Sequence, residues 1–301
     1  MSDERTSLLL NPETVVSEKE TKDTKVQEPS AVPYLFDAFF EDDINDLPSD
    51  EKPELITLIG LSSSGKTTFV GSLYALLRRR PELLGVEFLD SDTLTGFEKK
   101  VYLRRVKGPD KSVVKRTLRS DGSILNIVIS DEDKTHKRMI LISDKAGESY
   151  NDVINIAEAA NKHIAVKYAN KLVLFLDAEE IINHYSSYKD KLLTLLTAFD
   201  NAGMLPEEKK VITVFNKIDM QTGDSALSKE EWEKRENTLL EIVNRFFSVD
   251  NSVYRINSLG IKYGDEHKGL IDLFKTLLTF SDHDALSNDY NWITKLTRSS
   301  R

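Results

Sequence analysis

The sequence predicts an α/β fold in which a mostly parallel six-stranded sheet, with one antiparallel strand, carries helices on both faces. From about residue 54, strand patterns alternate with helix patterns, which indicates parallel strands joined by crossover helices. The strand segments are almost continuous apolar runs, as expected for strands covered on both faces. A glycine-rich loop, GLSSSGKTT at residues 60–68, separates the first strand from the first helix.

The first half of the fold begins with LITLI, residues 55–59, which has the composition of a buried strand. Residues 66–80 predict a helix whose apolar residues share one face, namely Phe69, Val70, Leu73, Leu76 and Leu77. SILNIVIS (123–130) and RMILIS (138–143) predict two antiparallel strands, because the polar stretch DEDKTH between them can form a turn.

The second half continues the alternation. We predict a helix over 151–162, a strand over 171–177, an amphipathic helix over 185–199 and a strand over 210–215. The next helix should begin after Ser228, because Glu231 follows it at capping-box spacing. A last strand over 252–257 and a last helix, LIDLFKTLLTF, complete the pattern.

Charge and composition divide the chain unequally. Of its 50 acidic and 41 basic residues, 14 and 5 lie within the first 52 positions, so this part carries the whole net charge of −9. We predict that residues 1–50 form an acidic, largely disordered segment. Its aromatic residues, Tyr34, Phe36, Phe39 and Phe40, either pack on the protein's own surface or form a docking motif for a partner.

Other classes of protein are excluded by composition. There are no cysteines, which rules out disulfides, thiolate zinc sites and cysteine nucleophiles. No apolar run approaches the roughly 18 residues that a spanning helix needs. The neutral remainder of the chain argues against specific nucleic-acid binding. We therefore expect a cytoplasmic protein with no integral membrane segment.

The loop at 60–68 has the pattern of a phosphate-binding loop. A glycine-rich turn between a strand and a helix directs backbone N–H groups at one point, where the helix N-terminus adds partial positive charge. We expect Lys66 to contact the β- and γ-phosphates and the Thr67 hydroxyl to bind Mg²⁺. The predicted phosphate-binding residues are Gly60, Ser62, Ser63, Ser64, Gly65, Lys66, Thr67 and Thr68.

Two later motifs follow strands in the expected order. In ILISDKAGE, Asp144 ends a strand and is a candidate Mg²⁺ ligand, while the Gly147 N–H can contact a γ-phosphate. In FNKID, the Asp219 carboxylate can accept two hydrogen bonds from guanine, one from N1–H and one from the exocyclic amine. Adenine offers no such pair of donors on that edge. Asn216, Lys217 and Ser258 complete the predicted base site, with Asn216 tying this loop to the phosphate loop.

These motifs make residues 54–280 resemble the TRAFAC class, the translation-factor-like GTPases. The resemblance implies the small G-protein version of the P-loop NTPase fold, with GTP or GDP and Mg²⁺ as ligands. The phrases DSDTLTGFEKKVYLRR and RTLRSDGSILNIVI are more specifically similar to bacterial double-GTPase proteins. That family is associated with conflict or antiphage systems, beside partner GTPases and effectors.

Compared with a minimal small GTPase, the chain carries an insert at about 86–119, for which we predict an added strand and helix. Between positions 99 and 119 the insert has nine basic residues and one acidic residue. The insert is a solvated loop, a source of a catalytic arginine, or a docking face for an acidic partner such as the chain's own N-terminal segment. Arg116 is the candidate arginine, and Thr117 is the candidate metal ligand of switch I, with Thr93 and Thr95 as alternatives.

Two departures from related sequences predict slow turnover. Glu148 stands where many relatives have a glutamine that orients water, and Ser62 occupies a loop position that is often glycine. The predicted catalytic group is Lys66, Arg116, Thr117, Gly147 and Glu148, and the predicted metal ligands are Thr67, Thr117 and Asp144. The expected function is a GTP-operated switch that hydrolyses GTP slowly and controls a protein effector or partner GTPase. An activator that supplies or completes catalysis is a further expected partner.

Two alternatives remain from the sequence. A scaffold that holds GTP without significant turnover is compatible with Glu148. A metabolic or motor P-loop ATPase or kinase is disfavoured by NKID and by the lack of a lid or substrate motif. The tail at 281–301 either packs Trp292 back on the domain or serves as a partner peptide.

Overall fold

The computed structural model of the chain describes residues 37–40, 53–105, 123–134, 136–205, 210–222, 226–247, 251–259 and 268–279. Within these ranges the chain forms one seven-stranded sheet with helices on both faces. All of them belong to a single compact unit. No helix in the described ranges has both the length and the apolar composition needed to cross a membrane.

The strands and helices follow one another along the chain much as the sequence predicts. The strands are β1 (Glu54–Ile59), β2 (Val86–Asp90), β3 (Ile124–Asp131), β4 (Lys137–Ser143), β5 (Lys171–Asp177), β6 (Lys210–Asn216) and β7 (Ser252–Ile256). The α-helices are α1 (Lys66–Arg79), α2 (Leu94–Arg105), α3 (Gly147–Asn155), α4 (Ile164–Tyr168), α5 (Ala178–Asn183), α6 (Tyr185–Asn201), α7 (Lys229–Phe246) and α8 (Lys268–Leu278).

The sheet has the order β2-β3-β4-β1-β5-β6-β7. Only β3, among the described strands, runs opposite to the rest, since it pairs antiparallel with both β2 and β4. The predicted class, with one antiparallel strand, is confirmed. The predicted number of six is too low, because the insert at 86–119 supplies β2 as a seventh strand, together with α2.

One predicted helix boundary is wrong and one predicted helix cap is confirmed. The helix predicted over 151–162 begins earlier, at Gly147, and ends at Asn155. Ile156 then adopts extended backbone angles, and the remainder is a 3₁₀ segment, Ala157–Lys162. The predicted cap of α7 is confirmed, because the Ser228 side chain accepts a hydrogen bond of 3.2 Å from the Glu231 N–H.

The alternation of side chains along each strand builds two cores. Ile56 and Leu58 of β1 face one cluster, which includes residues of α1, α2 and α8. Ile59 faces a second cluster on the opposite side, which includes residues of α3, α6 and α7. Because the sheet is covered on both faces, its carboxyl edge is the place where polar groups from several strands can meet solvent and a ligand.

Phe69 joins the sheet to two helices of the first core. It is 1% exposed, and its ring lies 5.1 Å from that of Phe175 on β5 and 4.8 Å from that of Phe274 on α8. Truncation of this side chain would leave a cavity that the surrounding rings cannot fill by relaxation.

We predict that Phe69→Ala lowers the free energy of unfolding by about 3–5 kcal/mol, as expected for loss of a buried phenylalanine. Urea unfolding followed by circular dichroism measures this change. The control is Ile156→Ala, at a side chain that is 59% exposed, which should change stability by at most about 0.5 kcal/mol. Equal effects of the two substitutions would contradict the core that we describe.

Candidate functional site

The loop at 60–68 turns tightly between β1 and α1. Gly65 has φ +91°, and a Cβ at this position would lie 2.1 Å from the Asn216 side-chain nitrogen. Only glycine satisfies both the backbone angle and the close contact. α1 begins at the next residue, so its first N–H groups and its partial positive charge are directed at the concave side of the loop. Ser62 is half-buried, Ser63 is exposed and Ser64 is buried.

Lys66 is folded against the loop that carries it. Its ammonium donates hydrogen bonds to the carbonyl oxygens of Gly60 (2.6 Å) and Leu61 (3.2 Å), and it lies 5.3 Å from the centre of the Tyr150 ring. Burial lowers the pKa of Lys66 to about 8, although the carboxylates of Asp144 and Glu148 act in the opposite direction. The amino group is therefore held at the loop, and keeping it charged there costs free energy unless an anion binds next to it.

Two of the three predicted metal ligands, Thr67 and Asp144, lie next to each other. The Thr67 hydroxyl is 3.3 Å from Asp144 Oδ1, and Asp144 is fully buried at the end of β4. Mg²⁺ commonly binds one or two such oxygen ligands together with substrate phosphates, so these two residues fit the ion. No self-contained cluster of three or more acidic or histidine side chains occurs in the described part of the chain.

The second oxygen of Asp144 is held by Lys100, a residue with no individual role in the sequence-based predictions. Lys100 on α2 places its ammonium 2.6 Å from Asp144 Oδ2, and its side chain is only 7% exposed. The sequence shows Lys100 merely as one basic residue of the insert. The pairing depends on how α2 packs beside β4, which no local pattern reveals.

The loop after β4 lies directly against the phosphate loop. A Cβ on Gly147 would be 2.5 Å from Ser62 Cα, so only glycine allows this approach. Glu148 follows at the start of α3, and its carboxylate accepts a hydrogen bond of 2.8 Å from the Ser62 hydroxyl. The two departures noted in the sequence are therefore in contact with each other.

Asn216 connects three loops at the carboxyl edge of the sheet. Its amide nitrogen donates to the Ser64 carbonyl (2.8 Å), and its amide oxygen accepts from the N–H (3.0 Å) and the hydroxyl (2.9 Å) of Ser258. Asn216 and Ser258 are 1% and 3% exposed. The end of β6, the end of β7 and the phosphate loop are thus joined by one side chain.

The remaining residues of NKID surround the predicted base position. Lys217 has φ +62°, and its ammonium contacts Asp177 Oδ2 (2.7 Å) and Glu179 Oε2 (2.9 Å). Asp219 is exposed in the short 3₁₀ turn Ile218–Thr222. Sequence reasoning did not single out Asp177, although an acidic residue at the carboxyl end of a parallel strand is a usable signal for a ligand site.

Several predicted residues are not placed at the site by the described part of the structure. Arg116 and Thr117, with the rest of the insert from residue 106 onward, and the tail at 281–301 fall outside the described residues. Thr93 is fully buried, and its hydroxyl lies within 3.3 Å of Ser91 and Asn126 atoms. These contacts hold the turn before α2, so Thr93 as it stands is part of a packed polar network. Thr95 is half-buried on α2.

Four residues of the N-terminal segment are described, and they pack against the chain itself. The backbone of Phe39 exchanges two hydrogen bonds with Ile124 of β3 (2.8 and 2.9 Å), and Asp37 forms an ion pair with Lys99 of α2. The residue before β3, Ser123, accepts a hydrogen bond of 2.8 Å from the Asp144 N–H through its carbonyl oxygen. Residues 37–40 are therefore linked to the backbone of Asp144 through Ile124 and Ser123.

Comparison with known proteins yields one family match and several distant structural likenesses. The family model Double-GTPase 2 matches residues 54–278. No curated protein matches the sequence. The solved signal recognition particle receptor SRb-GTP/SRX complex from Chaetomium thermophilum is 14% identical, with a TM-score of 0.42, and the match covers 75% of this chain and 97% of that one.

Two further solved structures resemble the chain at similar distance. For sup35 complexed with GDP, identity is 15% and the TM-score 0.33, with 72% of this chain and 41% of that one covered. For nucleolar GTP-binding protein 1 from Plasmodium falciparum, identity is 14% and the TM-score 0.37, with 84% of this chain and 93% of that one covered.

The lowered pKa of Lys66 leads to a pH dependence. With a pKa of about 8, the amino group loses its proton as pH rises, and a triphosphate binds tightly only to the charged form. We predict that affinity for a nucleoside triphosphate falls about tenfold between pH 7 and pH 9. Equilibrium titration with a fluorescent nucleotide measures it. Lys66→Arg, which keeps its charge, should show no such fall, and a flat wild-type profile up to pH 9 would contradict the assignment.

Proposed function

The chain belongs to the Double-GTPase 2 family, and on that premise we propose that it is a GTP-binding molecular switch that hydrolyses GTP slowly with the help of Mg²⁺. The observation that carries the proposal is the junction at Asn216, which brings the phosphate loop and the ends of β6 and β7 to one place. Phosphate groups and a purine base can therefore be held by one continuous pocket.

Each part of the pocket has a separate task in this proposal. The N–H groups of the loop and of α1 bind phosphate oxygens, and Lys66 exchanges its carbonyl partners for the β- and γ-phosphates. Thr67 and Asp144 hold Mg²⁺, which supplies positive charge to neutralise the triphosphate. Asp219 accepts hydrogen bonds from guanine, while Lys217 is fixed beside the base by Asp177 and Glu179.

Slow hydrolysis follows from the position of Glu148. Its carboxylate is held by Ser62 at the rim of the phosphate loop, where it would face the γ-phosphate as a negative charge. An attacking water placed between two anionic groups is oriented less well than one held by a neutral amide. The predicted catalytic role of Arg116 and the metal-ligand role of Thr117 remain part of the proposal.

The switch function rests on the short path from Asp144 to the N-terminal segment. Asp144 is bonded through its N–H to Ser123, and the next residue, Ile124, pairs with Phe39. A shift of Asp144 on metal and nucleotide binding would therefore reach residues 37–40, which can be exposed to or withdrawn from a partner. We propose that the chain acts on a protein effector or partner GTPase in the cytoplasm, within a bacterial defence system.

The contact between Glu148 and Ser62 also favours a second candidate function. If the carboxylate stays on Ser62 throughout, no group in the described part of the site orients an attacking water. The chain would then be a scaffold that holds GTP without significant turnover.

The nucleotide that copurifies with the protein separates these functions. We predict that chromatography of the denatured protein releases GDP, because even slow hydrolysis is completed during purification when GDP dissociates more slowly than GTP is hydrolysed. Bound GTP would instead favour the scaffold. Predominantly adenine nucleotides would overturn the proposal, and Asp219→Ala, which removes the base contact, serves as the control that should contain little or no guanine nucleotide.

The role of Glu148 has its own test. Glu148→Gln keeps a hydrogen-bond acceptor for Ser62 but removes the charge, so we predict single-turnover hydrolysis about tenfold faster, corresponding to about 1.4 kcal/mol in the barrier. Quench-flow with radiolabelled GTP measures the rate. The control is Glu158→Gln at an exposed glutamate. A fast wild-type rate that the Glu148 substitution leaves unchanged would refute this account of slow turnover.

A further inference from the structure

Lys100 is a buried cation that the proposed reaction does not use. Its ammonium lies 2.6 Å from Asp144 Oδ2, and the two side chains are 7% and 0% exposed. A carboxylate this deeply buried needs a counter-charge, because its desolvation is otherwise uncompensated. Lys100 supplies that charge from α2, the helix that the insert adds to the fold.

The same carboxylate is the candidate metal ligand. Thr67 approaches Oδ1 at 3.3 Å, and Lys100 holds Oδ2. A divalent cation bound by Thr67 and Asp144 would lie a few ångströms from the ammonium, and two cations at that distance in a buried site repel each other strongly. Asp144 therefore cannot serve both cations fully at once.

We propose that Lys100 and Mg²⁺ are alternative counterions of Asp144, so that binding of the metal with its nucleotide requires Lys100 to leave the carboxylate. Lys100 then raises the Mg²⁺ concentration at which the site is half occupied, although it does not itself contact the nucleotide. The inference rests on the proposed function, since it concerns the metal that accompanies GTP.

The neighbouring lysine offers a matched control. Lys99 lies on the same helix, but its side chain is 59% exposed and pairs with Asp37 rather than Asp144. Its removal takes one positive charge from α2 without touching the metal-site carboxylate. Any difference between the two positions reports the contact with Asp144 rather than the overall charge of the helix.

Release of a fluorescent GDP analogue, measured by stopped flow over a range of free Mg²⁺ concentrations, tests the inference. The midpoint is the free Mg²⁺ concentration at which half of the change in release rate has occurred. Lys100→Met should lower this midpoint about tenfold, because the competing cation is gone. Lys99→Met should leave this midpoint within about twofold of the wild-type value. A Lys100→Met midpoint that is unchanged or higher would overturn the inference, and loss of stability alone would then assign Lys100 a purely structural role.

A second substitution at the same position keeps the test independent of folding. Should Lys100→Met fail to fold, as judged by thermal unfolding, Lys100→Arg replaces it. The guanidinium can bind the carboxylate through two hydrogen bonds, so its Mg²⁺ midpoint should rise, and an unchanged midpoint would count against competition.

If the wild-type protein does not bind the guanine analogue at all, the proposed function fails, while the competition at Asp144 is still tested. Mn²⁺ binding without nucleotide, followed by electron paramagnetic resonance, should then be tighter for Lys100→Met than for the wild type. Equal affinities would overturn the inference.

Discussion

The hydrogen bonds of Asn216 are the constraint on which the site depends. One buried amide uses its nitrogen on the Ser64 carbonyl and its oxygen on two groups of Ser258. Each of these partners is a buried polar group that would otherwise be unsatisfied, at a cost of about 1–3 kcal/mol. The amide also fills the space next to Gly65, so the shape of the phosphate loop and the ends of two distant strands are determined together.

Around this junction, the distribution of charge prepares the pocket for an anion. Lys66 and Lys100 are both buried near Asp144, and Lys66 is held by backbone carbonyls rather than by a carboxylate of its own. The proposed nucleotide binding relieves this arrangement, because phosphate oxygens replace the carbonyls as partners of Lys66. Two pairings therefore determine the chemistry of the site: phosphate oxygens with Lys66, and the Asp144 carboxylate with either Lys100 or Mg²⁺.

Much of this architecture could be predicted from the sequence because it depends on local patterns. Apolar runs identified the strands, and the glycine positions identified the phosphate loop, where φ and close contacts leave no other residue possible. The seventh strand, β2, was expected as an addition from the insert, but it was not included in the predicted sheet of six strands; the sequence of the insert does not reveal that β2 pairs with β3 at the edge of the same sheet. The role of Lys100 could not be predicted, since it depends on contact between α2 and the end of β4, which lie far apart in the sequence. Asp177 did carry a signal, its position at the carboxyl end of a parallel strand, but its contact with Lys217 appears only in the structure.

The central claim is that these loops form one pocket that binds a triphosphate and distinguishes its base through Asp219. Isothermal titration calorimetry with Mg²⁺ and non-hydrolysable analogues of GTP and ATP tests it most directly. Because a wrong base would leave the hydrogen-bonding groups of the site unpaired, the account predicts at least a roughly hundredfold preference for the guanine analogue. Equal affinity for the two analogues would contradict it.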